Sequence, residues 1–232
     1  GSVTPETVYT EIKCCAVLCL TETWLNNNMP DSAFQIDGFQ LFRADRDYRS
    51  GKTRGGGLCA YVNGGWCTNC VLVKSYCSEA IELMTVKCRP HCLPRESTAV
   101  FVTTVYIPPG ANASTIARIA QQELYDTISS LQSKHPEVFY VVAGDFNHMK
   151  LTDILPSFYQ HVTISTRGDN TLDCVYTNIR GAYRALPHPQ LGLSDHVSLL
   201  LVPTYRPLLR RIGPTKKTVI VWPTDAAYVL QD

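Results

Sequence analysis

An α/β fold in a single domain is what this sequence predicts, and three observations carry the prediction. The first is a β-branched and aromatic run, Val138-Phe-Tyr-Val-Val142, whose unbroken apolar character marks a strand buried on both faces. The second is Ser114 to Ser133, where Ile116, Ile119, Ala120, Leu124, Ile128 and Leu131 recur at helical spacing. The third is another β-branched run, Thr98 to Tyr106, just ahead of that helix. Strand, helix and strand in this order form a crossover between two parallel strands, the unit on which an α/β sheet is built.

The remaining elements follow in chain order. Thr4-Pro5 opens a short helix over Glu6 to Lys13, and Cys14 to Leu20 is an apolar strand ending in Thr21-Glu22-Thr23-Trp24. Asn26 to Gly38 is turn-rich; strands then fall at Phe39 to Phe42, Gly56 to Val62, Cys70 to Lys74 and Ala80 to Lys87. Pro108-Pro-Gly110 stops the ladder after Tyr106. Beyond Asn147 come a short helix or turn at Leu151 to Leu155 and strands near Gln160 to Ile164, Leu172 to Thr177 and Val197 to Pro203, with a turn at Gly168-Asp169-Asn170. Residues 1–205 make the domain and 206–232 a proline-punctuated basic linker or tail, in which Val219 to Trp222 can still pack on the body.

Composition narrows the class. With 45% apolar and 18% charged residues among 232, the chain can bury a sizeable core. No apolar run approaches the roughly 20 residues of a membrane span, and the start lacks the order of a secretory signal. The expected setting is therefore intracellular and reducing, nuclear or cytoplasmic, with no membrane partner. In that setting the ten cysteines read as reduced thiols. A zinc site built from Cys67, Cys70, Cys88 and His91 is the alternative, opposed by the strand patterns between them. A net charge of +1 leaves the charge distribution to decide about polyanions. Two basic stretches, Arg43 to Arg54 and Arg206 to Lys217, can each track phosphates or form a solvated face.

Polar residues gather at strand ends. Ala143-Gly144 lets the chain turn after Val142, and period-two geometry puts Asp145 and Asn147 on one side with Phe146 turned into packing. Glu22, Tyr106, Asp173, Asp195 and His196 occupy equivalent places, and such ends converge on one cleft in layered α/β folds. Several carboxylates, an amide oxygen and a single histidine suit a hard, oxygen-seeking cation such as Mg²⁺. The chemistry that asks for all of them is metal-assisted hydrolysis of a phosphoester.

Thr21-Glu-Thr-Trp-Leu25, Arg54-Gly-Gly-Gly57, Val105-Tyr-Ile-Pro-Pro109, Gly144-Asp-Phe-Asn147, Thr171-Leu-Asp173 and Ser194-Asp-His196 stand in the order and rough spacing of the exonuclease-endonuclease-phosphatase superfamily. Within it, the chain most resembles the endonuclease domain of a LINE-type, non-LTR retrotransposon. The resemblance implies a four-layer α/β sandwich of two packed mixed sheets flanked by helices. It makes Glu22 the ligand of Mg²⁺, with Mn²⁺ as an alternative, and gives Asp145 and Asn147 the attacking water. Tyr106 would contact the phosphate or metal, Asp173 would orient His196 on the phosphate, and Asp195 would lie near water or metal. Ser194, Thr166, Arg167 and Arg54 would stand on the substrate side, and the partners would be DNA and a following reverse transcriptase region.

One departure is visible. Members of the family begin with a strand bearing an Asn that helps hold metal and phosphate, and nothing between Gly1 and Lys13 matches it. That gap makes a strand-exchanged homodimer a further expectation. It also keeps two alternatives beside the nuclease: a weakened nuclease-like module that binds DNA or protein without turnover, and a phosphatase of the same fold.

Overall fold

The computed structural model describes residues 12–94, 96–110 and 114–204. The expected N-terminal helix lies outside them except for Ile12–Cys14, which are helical, and the basic tail with Val219 to Trp222 lies outside entirely. In chain order the strands are β1 (Val17–Thr21), β2 (Phe39–Ala44), β3 (Leu58–Asn63), β4 (Asn69–Cys77), β5 (Glu82–Arg89), β6 (Ala99–Tyr106), β7 (Val138–Asp145), β8 (Tyr159–Gln160), β9 (Asp173–Thr177), β10 (Tyr183–His188) and β11 (Ser198–Pro203). The helix α1 (Ser114–Lys134) joins β6 to β7.

Six strands form the central sheet in the order β4-β5-β6-β7-β9-β8. The crossover is as expected: β6 and β7 run parallel, from Ala99 opposite Val138 to Tyr106 opposite Asp145, and the other pairings in this sheet are antiparallel. One face packs on α1, where Ala120, Leu124 and Ile128 meet Phe101, Tyr140 and Val142 in the larger core. Ile119, placed on the same stripe by its spacing, is 45% exposed because it sits at the stripe's margin.

The other face carries a second strand layer in two antiparallel pieces, β1-β3-β2 and β10-β11. Between the layers Leu58, Ala60 and Val62 pack against Met84, Val86, Val100 and Val102. Outside the three-stranded sheet, Leu18, Leu20 and Leu41 meet Leu25 and Ile36 from the long loop, so among the described residues this outer layer is a loop with one 3-10 turn rather than a second long helix. The layered α/β sandwich therefore stands, with α1 as its long helix among the described residues.

Strand β10 departs from expectation, since Arg184, Pro187 and His188 interrupt its apolar pattern and its strand character comes from pairing with β11. The basic loop departs too. Arg43 is paired with Asp31 and Asp45, Arg46 with Glu82 and Arg49 with Asp47, so most of that stretch is neutralised within the fold. All ten cysteines are free thiols. Cys70 and Cys88 face each other across β4 and β5, but among the described residues no group of three or more His, Cys, Asp or Glu side chains is placed to hold a metal. The zinc alternative thus finds no support. Among the described residues no helix is long and apolar enough to cross a membrane.

Candidate active site

Register places the site. Tyr106 is the partner of Asp145 across β6–β7, and Asp145 is the partner of Asp173 across β7–β9, so three adjacent strands present these side chains at one rim. Gly144 makes the approach feasible: a Cβ there would sit 1.9 Å from the Val105 carbonyl oxygen, and φ is +147°. The chain then turns with Phe146 fully buried, edge-on to Tyr176 at 5.2 Å, as its alternation predicts. Asn147 adopts a left-handed φ of 49°, donates its N–H to Asp145 Oδ1 at 2.9 Å and its amide Nδ2 to the Ile107 carbonyl at 2.5 Å. Both residues are thereby fixed before any substrate arrives.

Asp145 is 7% exposed, and burial pushes its carboxyl up to about 6; the charges of Asp173 and Glu22 add to the rise, while the Asn147 N–H and His196 oppose it. The shift puts Glu22, Asp173 and His196 within electrostatic reach of Asp145. The rim is a single constellation.

Glu22 follows β1 with a left-handed φ of 52° and accepts a hydrogen bond from the Tyr106 hydroxyl. Burial first, then the Glu22 contact, raises the Tyr106 phenol well above its ordinary range. Beneath this pair lies a support with no counterpart in the sequence reading. Arg46 Nε donates to Glu82 Oε1 at 2.5 Å, and Glu82 Oε2 accepts the Gly57 N–H at 2.6 Å. Both side chains are almost fully buried, at 7% and 2% exposure. Arg46 also donates to the Arg54 carbonyl and lies over the Tyr106 ring. Gly56 is needed there, because a Cβ would fall 2.2 Å from Arg46 Nε. The glycine loop in turn accepts the N–H groups of Thr23 and Trp24. A long-range ion pair has no local signature; only the acid at Glu82, in an otherwise apolar strand, hints at it.

On the opposite side, His196 Nδ1 lies 2.7 Å from Asp173 Oδ2. A carboxylate only accepts, so Nδ1 carries the proton and Nε2 is turned away from Asp173. Ser194 caps the His196 N–H at 3.1 Å, and Asp195 pairs with Arg167 at 2.8 Å on the surface. Thr166 corrects an expectation. It is fully buried, its hydroxyl accepting the N–H groups of Leu172 and Asp173 at 3.0 and 3.1 Å, so it braces the Asp173 turn and is not available to a DNA backbone. Arg54 and Arg167 are exposed near the rim, and so is Trp24, 59% exposed and packed on Gly55.

The comparisons fit this geometry. Against family models the chain has no match, and a search of curated proteins finds none either. Solved structures do match. An AP endonuclease from Archaeoglobus fulgidus shares 16% identity over 85% of this chain and 92% of that one, with a TM-score of 0.57. TDP2 of D. rerio, complexed with a single-strand DNA product, shares 10% over 84% and 88%, at 0.56. The human Nocturnin catalytic domain with bound sulfate shares 15% over 84% and 82%, at 0.54. This chain has the exonuclease-endonuclease-phosphatase fold. At these identities the likeness is one of fold, and the chemistry rests on the rim.

The donor set suits a hard cation: Glu22 offers a carboxylate, with Asp145 and Asp173 in electrostatic reach and no thiol in the constellation. Glu22 is the anchor such an ion would use. No trio of ligands is preassembled among the described residues.

Proposed function

We propose that the chain is a divalent-cation-dependent endonuclease that hydrolyses DNA phosphodiester bonds, of the type that nicks a target strand for a LINE-type retrotransposon. The observation that supports it is the convergence of Glu22–Tyr106, Asp145–Asn147 and Asp173–His196 on one rim. The fold is one that in TDP2 holds a DNA product.

Asp145, with its raised carboxyl, takes a proton from water near neutral pH while Asn147 fixes the turn that aims it. In its imidazolium form His196, held by Asp173, donates its Nε2–H to a phosphate oxygen and stabilises the charge that builds there. Tyr106 donates its hydroxyl proton to Glu22 and keeps it oriented, leaving its oxygen lone pairs to contact a bound cation. A bound Mg²⁺ or Mn²⁺ at Glu22 would supply charge neutralisation for the leaving oxygen. Arg54, Arg167 and Ser194 at the rim would position the DNA backbone, and Trp24 would stack on an unpaired or splayed base. A reverse transcriptase region in the same polyprotein would use the released 3′-hydroxyl.

The test is nicking of supercoiled plasmid with Mg²⁺, with Mn²⁺ and with chelator, alongside His196→Ala and Asp145→Ala. Metal-dependent nicking lost in both variants is the expected result. Nicking that survives both removes the assigned site. A binding module is the second reading, favoured by the lack of a preassembled ligand trio among the described residues. It predicts DNA binding with no turnover in either metal.

A further inference from the structure

A cleft lies away from the rim, where β8 of the six-stranded sheet meets β10 of the second layer. It is open to solvent and has a volume of about 620 Å³, in the range of sites that hold a small ligand. Its walls come from Phe158, Tyr159 and His161 around β8 and from Arg180, Tyr183 and Arg184 around β10. The hydrolytic site is elsewhere. Asp173 opens β9 at the rim, Thr177 closes it opposite Tyr159, and the strand between them spans about 13 Å.

Internal hydrogen bonds fix these walls. Gln160 Oε1 accepts the N–H groups of His161, Val162 and Val175 at 2.9, 3.2 and 3.0 Å, tying β8 to β9. Asn178 accepts the Tyr140 N–H and donates to the Val138 carbonyl, both at 2.9 Å, so the connection that carries Arg180 is anchored on β7. His161 Nε2 lies 2.7 Å from Thr177 Oγ1, whose own proton goes to the Ile179 carbonyl at 2.8 Å, so the imidazole is the donor. Burial lowers the pKa of His161, which leaves the ring neutral near pH 7 and the positive charge of the cleft to its arginines.

Charge and aromatic surface coincide here. Arg180 Cζ stands 5.1 Å from the centre of the Tyr159 ring, a stacked guanidinium that keeps its N–H edge for an anion, and Arg184 is exposed on β10. Among the described residues that line the cleft there is no carboxylate, whereas Arg43, Arg46 and Arg49 of the basic loop are all taken up by acids of the fold. A lone phosphate would leave most of the volume and the rings of Phe158 and Tyr183 untouched. A nucleotide fills both, with its phosphate on the arginines and its base on the aromatic wall. We propose that this cleft is a second binding site, for a nucleotide unit carried by a single-stranded nucleic acid or by a free nucleotide, with Arg180 and Arg184 on its phosphate. The site goes beyond the hydrolytic reading of the rim and does not depend on it.

The experiment uses the full chain in chelator, with two photoprobes: a short oligothymidylate carrying one 5-iodouracil, and 5-iodo-2′-deoxyuridine 5′-monophosphate. The expected result is an adduct on Tyr159 or Tyr183 in the parent, reduced at least about 10-fold in the double variant Arg180→Ala, Arg184→Ala. Adducts from the oligonucleotide alone identify the strand as the source, and adducts from the mononucleotide identify the free nucleotide; either supports the site. For the strand, the salt dependence of binding should also lose about 0.7 in slope for each phosphate contact removed. Adducts confined to the rim with both probes, or cleft adducts unchanged in the double variant, overturn the proposal. So does inorganic phosphate that suppresses the adducts as well as thymidine 5′-monophosphate does, because the base would then contribute nothing. The adduct map of the parent decides even where the variant fails to fold. Because no turnover is read, the result is independent of whether the rim hydrolyses DNA.

Discussion

The two flanks of the rim are built in opposite ways. Glu22 and Tyr106 stand on a buried ion pair, Arg46–Glu82, that is tied by hydrogen bonds to the glycine loop. Asp173 opens β9, but His196 follows a surface turn, where Asp195 is 65% exposed, Arg167 51%, and Leu193 fully in solvent. The first flank is held by interactions whose loss leaves a charge stranded in the interior; the second by contacts that water and salt can replace. The Glu22–Tyr106 flank is thus the more rigid, and the His196 flank the freer to adjust.

Breaking the rigid flank has the largest expected effect. Arg46→Met leaves Glu82 buried without its partner, and a loss of about 3–5 kcal/mol in urea unfolding is expected. A loss under about 1 kcal/mol would mean the pair is not a foundation. Double replacement of Arg46 and Glu82 by Met and Leu should recover much of it while leaving Glu22 poorly held, so that stability and nicking separate.

Asp145 sharpens the comparison from the centre. Its carboxyl titrates near 6 when folded against an ordinary value of 3.8, so the folded state holds its proton more tightly than the unfolded. Stability attributable to this group is fully present below pH 4 and falls as pH rises towards 6, by about 3 kcal/mol from the shift alone. Asp145→Asn removes that loss. A higher melting temperature with chelator at pH 7.5 is expected, together with abolished nicking in Mg²⁺; an unchanged melting temperature would argue against a strained carboxylate. Nicking by the parent should rise as pH passes through about 6, as the carboxylate forms.

Smaller effects belong to the adjustable flank. His196→Ala should cost nicking by 100-fold or more, roughly the worth of a positioned acid–base group, with stability within about 1 kcal/mol. Arg167→Ala opens only an exposed pair, so its stability change should stay below about 1 kcal/mol. Its trace should appear in the salt dependence of DNA binding, whose slope falls by about one if the arginine meets a phosphate.

What was legible in the sequence follows the same division. The crossover, β7 and the rim residues could be read because an unbroken apolar strand, a glycine and a following carboxylate leave local marks. Helix α1 was readable within one residue because its stripe is local too. Arg46 was not: in sequence it belongs to a basic loop, and its partner lies 36 residues away on another sheet. Thr166 was misread for a similar reason, since nothing near it in sequence shows that it lies under the Asp173 turn. β10 escaped because an edge hairpin strand takes its form from its partner and not from its own pattern.

Three residues at the rim, Glu22, Trp24 and Asn147, hold left-handed backbone angles that ordinary side chains avoid. In a library selected for thermal tolerance alone, glycine at positions 22 and 24 would be enriched, each relieving about 1 kcal/mol. Such a screen would discard the carboxylate and the indole together. A thermostabilised form of this protein therefore has to be sought with both positions locked, and gains taken from the α1 surface, where Ile119 and Tyr125 stand in solvent and no rim residue is at stake.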